Sequence, residues 1–314
     1  WPTILLCLVV GTMVGAWHGF WIAYVHIPPF ICTLSGMLLW RGVSLLILNG
    51  MTISPFPNQY MNIFSSYLPG LFLPKTTDEM PLAEYYAIMD SNARIIFIVT
   101  LLVAVIICAV VLAVSFISRA NKKRKGYSVP SFGSFIAKQV VLCIIILAMG
   151  YLLGKDKGIP IVLVIVGIIV LAYGYFTQNT IPGRYLYAIG GNEKAARLSG
   201  VNTDNVMFFA YTNMGFLSGV AALVVAARLN SAAPTAGQNY EMDAIASCFI
   251  GGASAYGGTG TVGGAVIGAI FMGILNNGMS ILGVDMNWQR AVKGLVLLLA
   301  VIFDVTSKKR GKSR

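Results

Sequence analysis

The sequence predicts an all-α polytopic membrane protein with about eight or nine transmembrane helices. Three observations carry this expectation. Hydrophobic residues fill 57% of the 314 positions and charged residues only 11%, where a soluble domain carries about 25% charged residues. Several apolar runs reach the roughly 18 to 20 residues that a helix needs to cross a bilayer. The basic residues behind the net charge of +11 gather in short polar stretches and in the C-terminal tail, the pattern that sets membrane topology. A nucleic-acid-binding protein would interleave Lys and Arg with aromatics on a soluble face, so nucleic acid is not an expected partner.

In chain order, the first two spans cover about 2–24 and 29–48, separated by HIPP at 26–29, whose prolines break the helix. A polar, Pro-containing insertion at 49–94 follows, with Asp78, Glu79, Glu84 and Asp90 against Lys75 until Arg94 closes it; it is expected outside the cell. The third span, Ile95 to Ile117, runs into a basic loop at 119–136 where Arg119, Lys122, Lys123, Arg124 and Lys125 occur without an acid. By the positive-inside rule this loop is cytoplasmic. Spans four (about 137–153) and five (159–176) form a hairpin through LGKDKG and return the chain to a cytoplasmic loop at 177–205. Span six (206–227) leads outward to RLNSAAPTAGQNYE. Spans seven (about 262–281) and eight (288–304) form the last hairpin, and the basic tail at 305–314 is expected inside.

That count requires the segment 240–258 to come back inward. It holds Glu241 and Asp243 near its start and GGASAYGGTG at its end, and reads as a short or broken helix. Irregular backbone at that depth survives only where protein or a water-filled cavity covers it. The stretches GTMVGAWHG (11–19) and GTVGGAVIG (260–268) share G-T-x-x-G-A-x-x-G, with an arginine 30 positions past each start, at Arg41 and Arg290. They read as an inverted repeat, and their glycine spacing suits close helix packing.

The polar island PGRYLYAIGGNEKAARLSGV (182–201) contains a short helix. Asn192 is placed to cap it, Glu193 sits where the helix dipole favours an anion, and Gly200 can take the left-handed closing position. Two turns do not hold alone in water. The segment is either an ordered loop packed on its own chain or a handle gripped by a soluble partner.

No enzyme, metal or cofactor signature emerges. Cys7, Cys32, Cys108, Cys143 and Cys248 all lie in apolar segments without metal-type spacing. Gly258, Gly260 and Gly263 match GxGxxG but follow no soluble strand, and there is no GxxxxGK[ST] to cradle a phosphate. Arg41 and Arg290 lie inside predicted spans, where a charge is costly and faces protein or water. They either pair with Glu241, Asp243 or Asp285, snorkel to an interface, or line a path for a hydroxyl-rich solute with Asn276, Asn277, Trp288 and Gln289. Amides and indoles suit sugars because they offer directed hydrogen bonds and a flat apolar surface.

The stretches at 239–284 (NYEMDAIASCFIGGASAYGGTGTVGGAVIGAIFMGILNNGMSILGV), 188–201 (AIGGNEKAARLSGV) and 27–42 (IPPFICTLSGMLLWRG) resemble permease subunits of bacterial ABC sugar importers of the ribose, xylose and galactose group. The likeness spans nearly the whole chain and is nearest to the xylose or multiple-monosaccharide branch, which shares the long polar insertion. It implies a permease that carries a monosaccharide through the bacterial cytoplasmic membrane, with a second copy, a tandem-domain ATPase below and an extracytoplasmic sugar-binding protein above. It also implies that Gly191, Asn192, Glu193, Ala195, Ala196 and Gly200 belong to a coupling helix seated on the ATPase. The family carries one or two further helices upstream, with a GGIDLSVGS-like stretch, so Trp1 is expected to fall inside a longer protein. The rival expectation is an ion-coupled secondary transporter, which needs a functional intramembrane acid among Glu241, Asp243 and Asp285.

Overall fold

The computed structural model describes residues 2–68, 82–126 and 131–312, with the side chains of 82–90 and 307–312 excepted. The regular elements in them are helices: α1 Pro2–Ala23, α2 Pro29–Leu48, α3 Asn58–Phe64, α4 Leu82–Arg124, α5 Phe132–Lys155, α6 Ile161–Asn179, α7 Ile181–Leu198, α8 Thr203–Leu229, α9 Tyr240–Ile250, α10 Val262–Ile281 and α11 Met286–Lys312. Seven of them (α1, α2, α4 from Ser91 onward, α5, α6, α8 and α10) are long and apolar enough to cross a membrane. The α11 helix is long but polar at its start, with Gln289, Arg290 and Lys293 in its first turns. The 11 residues of α9 extend about 16 Å, half of a roughly 30 Å hydrocarbon layer. Leu46 is 82% exposed and Leu171 75%; such outward apolar side chains belong against lipid or another chain.

The chain divides into two units, residues 1–56 with 166–314, and residues 57–165. In the first, α1 lies antiparallel to α8 along glycines. A Cβ on Gly15 would stand 2.6 Å from the Tyr211 carbonyl oxygen, and one on Gly11 2.8 Å from that of Gly215. Only hydrogen at these positions lets the backbones approach this closely. At one end of the pair the Tyr24 hydroxyl donates to Asn205 Oδ1 at 2.9 Å. The α2 helix joins α1 through the His18 ring, which occupies the space that a side chain on Gly36 would fill. Beyond α2 and α8, Ile53 and Ala232 exchange backbone hydrogen bonds of 2.9 and 3.0 Å. The short α9 packs between α10 and α11, its Gly251 against Gly264 and its Ser247 carbonyl against Gly268.

In the second unit α4 and α5 form an antiparallel hairpin, with Gly150 against Ala104 and Gly154 against Phe97. Two expectations are corrected here. The third span is not bounded by Ile95 and Ile117; α4 starts at Leu82 and continues to Arg124, because 82–94 contains neither Gly nor Pro and its polar residues tolerate a helix outside the membrane. Arg119, Lys122, Lys123 and Arg124 therefore lie on the last turns of α4, not in a loop. Lys75, Asp78 and Glu79 of the insertion lie outside the described residues.

Candidate functional site

The polar island folds as two helices in series. Thr180 caps the first, its hydroxyl accepting from Gly183 N at 3.2 Å, and Pro182 fits the first turn because its lost N–H would have no helical partner there. At Asn192 the backbone leaves helical geometry (φ −159°, ψ 102°), and the Asn192 Oδ1 accepts from Ala195 N at 3.0 Å. A second, two-turn helix follows. Gly200, at φ +86°, closes it: Val201 N donates to Ala196 O and Gly200 N to Arg197 O, both at 3.1 Å, the paired bonds of a Schellman ending. Arg197 ties this helix to α8 through Asp204 at 2.7 Å.

Of the residues assigned to this segment, Gly191, Asn192, Glu193, Ala195 and Gly200 are exposed, whereas Ala196 is buried against its own chain. Leu198, which the sequence reading passed over, is 90% exposed.

The island and the glycine loop of 251–260 meet. A Cβ on Gly190 would lie 2.6 Å from Gly258 N, and one on Gly258 2.8 Å from the Gly191 Cα. The Tyr187 hydroxyl donates to Gly260 O at 2.9 Å. On the other side of the loop, Asp304 of α11 accepts from Ala255 N at 3.2 Å and from the Ser254 hydroxyl at 3.5 Å. Tyr187 and Asp304 carried no signal in the sequence, since each acts on a backbone atom distant in the chain.

A polar cluster sits where α9, α10 and α11 converge. Lys293 Nζ lies 2.9 Å from Asp243 Oδ2, and the Asn276 amide donates to the same oxygen at 3.2 Å. Asp243 Oδ1 and Asn276 Oδ1 are both buried without a partner. Of the alternatives for Arg41 and Arg290, pairing with Glu241, Asp243 or Asp285 is not seen among the described residues. Asp243 takes Lys293, which its neighbouring helix places closer, and Asp285 Oδ1 instead accepts from Asn287 N at 2.8 Å at the start of α11. Gln289 donates to Val284 O at 2.8 Å. Trp288, Arg290, Glu241 and Asn277 are exposed, and Arg41 is half-buried in α2, outside this cluster. Among the described residues no group of three metal-ligating side chains comes together.

A separate cavity of about 570 Å³ opens between α1, α2 and α8, lined by residues that include His18, Thr33, Trp40, Tyr211 and Ser218. The Val14 carbonyl accepts from His18 Nδ1 at 2.8 Å. None of the path residues expected from the sequence lines it.

The family model described as "branched-chain amino acid transport system / permease component" matches residues 85–301. The chain is 37% identical over 313 residues to the xylose transport system permease protein of Escherichia coli (strain K12), covering 99% of this chain and 73% of that one. It is 34% identical to the corresponding protein of Haemophilus influenzae, over 98% of this chain and 75% of that one. The ribose import permease protein of Escherichia coli (strain K12) is 47% identical over 152 residues, 48% of this chain and 47% of that one. No solved structure matches.

Proposed function

The chain belongs to this family of transport permease components, as a sugar-permease relative of the xylose and ribose types, and from that premise we propose that it carries a monosaccharide, xylose or a related pentose or hexose, into the bacterial cell as the membrane subunit of an ATP-driven importer. The observation that carries this reading is the 37% identity to a xylose permease along 99% of the chain. ATP hydrolysis belongs to a separate ATPase subunit, and a second permease copy and an extracytoplasmic sugar-binding protein complete the assembly.

The coupling segment is the second half of α7. Its caps hold the two-turn helix rigid, Ala196 and the Arg197–Asp204 pair anchor it to its own chain, and Glu193, Ala195 and Leu198 face outward to the ATPase. Motion of this helix reaches the transport path through glycine backbone contacts. Gly190 and Gly191 press on Gly257 and Gly258, and that loop ends α9, which carries Asp243. The buried free oxygens of Asp243 and Asn276 are acceptors for sugar hydroxyls, and Lys293 neutralises the carboxylate so that no net charge traps a neutral solute. Glu241, Asn277, Trp288, Gln289 and Arg290 extend the polar surface from the same helices, while Arg41, on α2 outside this cluster, is a separate candidate for the path. A weak site suffices, because tight binding would slow release; specificity then rests with the binding protein.

The test is ATP hydrolysis in liposomes holding the full-length permease, its ATPase and sugar-loaded binding protein. Sugar-dependent stimulation is expected, and Ala195→Trp on the exposed face abolishes it while assembly persists. Sugar accumulation under a proton or sodium gradient without the ATPase would overturn the reading in favour of ion coupling through Asp243.

A further inference from the structure

We propose that the end of the α4–α5 hairpin binds the phosphate headgroup of an anionic membrane phospholipid, with Arg119, Lys122 and Lys138 as its cations. A cavity of about 560 Å³ lies between the last turns of α4 and the first turns of α5, and Ser115, Ser118, Arg119, Lys122, Ser134 and Lys138 line it. Cations and hydroxyls are the donors that recognise a phosphate. From Ser91 to Lys155 the chain contains no Asp or Glu, so that stretch of the two helices supplies no counter-ion.

Two orphaned atoms point to a ligand. Arg119 Nη1 is buried without a hydrogen-bond partner, and so is Gln139 Oε1. The guanidinium carbon stands 4.7 Å from the centre of the Phe135 ring and 5.6 Å from that of Phe132, which fixes its plane in advance. A buried donor left unmade is costly, and a phosphate oxygen supplies the acceptor. Gln139 Oε1 accepts from a hydroxyl donor, as the glycerol of a phosphoglycerol headgroup provides. The start of α5, capped by Ser131, adds the positive end of a helix dipole.

Lipid is favoured over free phosphate by the rim. Val114, Ile117 and Phe132 are each 60% exposed at this level, an apolar border that acyl chains cover and inorganic phosphate leaves bare. Basic pockets between membrane helices bind acidic headgroups by this combination. The site does not depend on what the permease carries.

Native mass spectrometry of the full chain in detergent, with phosphatidylglycerol, phosphatidylcholine or inorganic phosphate added in separate arms, tests this. One phosphatidylglycerol per chain is expected to remain bound where phosphatidylcholine does not. Affinity should fall about fivefold for Lys138→Gln, the effect of one cation near a lipid surface, and at least as far for Arg119→Gln. Arg119→Lys, which keeps the charge but loses the planar contact with Phe135, serves if Arg119→Gln does not fold. Lys155→Gln and Lys157→Gln, at the other end of α5, should leave retention unchanged. Equal retention of both lipids, or phosphatidylglycerol binding unmoved by the Lys138 and Arg119 variants, overturns the proposal. Phosphate binding without lipid preference overturns the lipid as its source.

Discussion

Asp243 shows how one neighbour changes what a residue can do. An acid within the helical layer invites a proton or sodium relay, but Lys293 at 2.9 Å holds it as half of an ion pair. The two side chains are 23% and 21% exposed, so the pair is only partly desolvated. Removing one partner strands the other, and Asp243→Ala or Lys293→Ala should each cost about 2 to 4 kcal/mol, short of the largest buried-pair losses. The double variant Asp243→Ala with Lys293→Ala should lose less than the two singles together. Thermal unfolding of the purified protein reads this cycle, and simple additivity would show that the pair is not coupled. Asn192 makes a smaller claim of the same kind. Asn192→Ala removes the cap of the two-turn helix at about 1 kcal/mol, and Asn192→Ser should restore most of it. In the reconstituted system the alanine variant should weaken sugar-stimulated hydrolysis about fivefold, and equal stimulation in both variants would mean that the cap is unimportant for coupling.

Glycine decides the elements. Where a Cβ would meet backbone, as at Gly15 and Gly215 between α1 and α8, Leu should prevent the helices from closing and abolish monodisperse protein in size-exclusion chromatography. Gly167, with nothing within 4 Å, is the internal control: Gly167→Ala should be neutral or stabilise by up to about 1 kcal/mol, since Ala is the better helix former. Gly190→Ala sits between these cases. It forces the α7 segment off the glycine loop without touching the outward face, so it should preserve ATPase binding yet uncouple hydrolysis from uptake; parallel loss of both would refute a transmitting role. The sequence announces the apolar helices and the second half of α7 because runs of 20 apolar residues, an Asn cap and a closing Gly are local signals. It conceals Ile181 to Gly191 as helix because Gly190 and Gly191 resemble breakers, whereas their small size serves the contact with Gly257 and Gly258. Lys293 is hidden for another reason: its partner lies 50 positions away on α9, and only the convergence of three helices brings them together. The α4 extension from Leu82 was obscured by polarity, which marks the membrane boundary and not the end of the helix.

At the scale of the whole molecule, three contacts constrain orientation in the unit formed by 1–56 and 166–314. The glycine loop touches α7 through Gly190 and α11 through Asp304, so α7 and the C-terminal end of α11 share one side. The residues that follow Asp304 include Lys308, Lys309, Arg310, Lys312 and Arg314, and in the orientation we propose this cluster lies in the cytoplasm. In that orientation the backbone bridge between Ile53 and Ala232, past the far ends of α2 and α8, lies outside. Single cysteines in a background lacking Cys7, Cys32, Cys108, Cys143 and Cys248 make this measurable. In intact cells a membrane-impermeant maleimide should label Ser231→Cys at once and leave Leu198→Cys and Ala255→Cys untouched until the membrane is opened. The two protected positions should then label at different rates, because Leu198 is bare and is the one that an ATPase would cover. Co-expression of the ATPase should therefore slow Leu198→Cys labelling in opened membranes far more than Ala255→Cys. Labelling of Leu198→Cys from outside would invert the topology and remove the coupling segment from reach of any cytoplasmic partner.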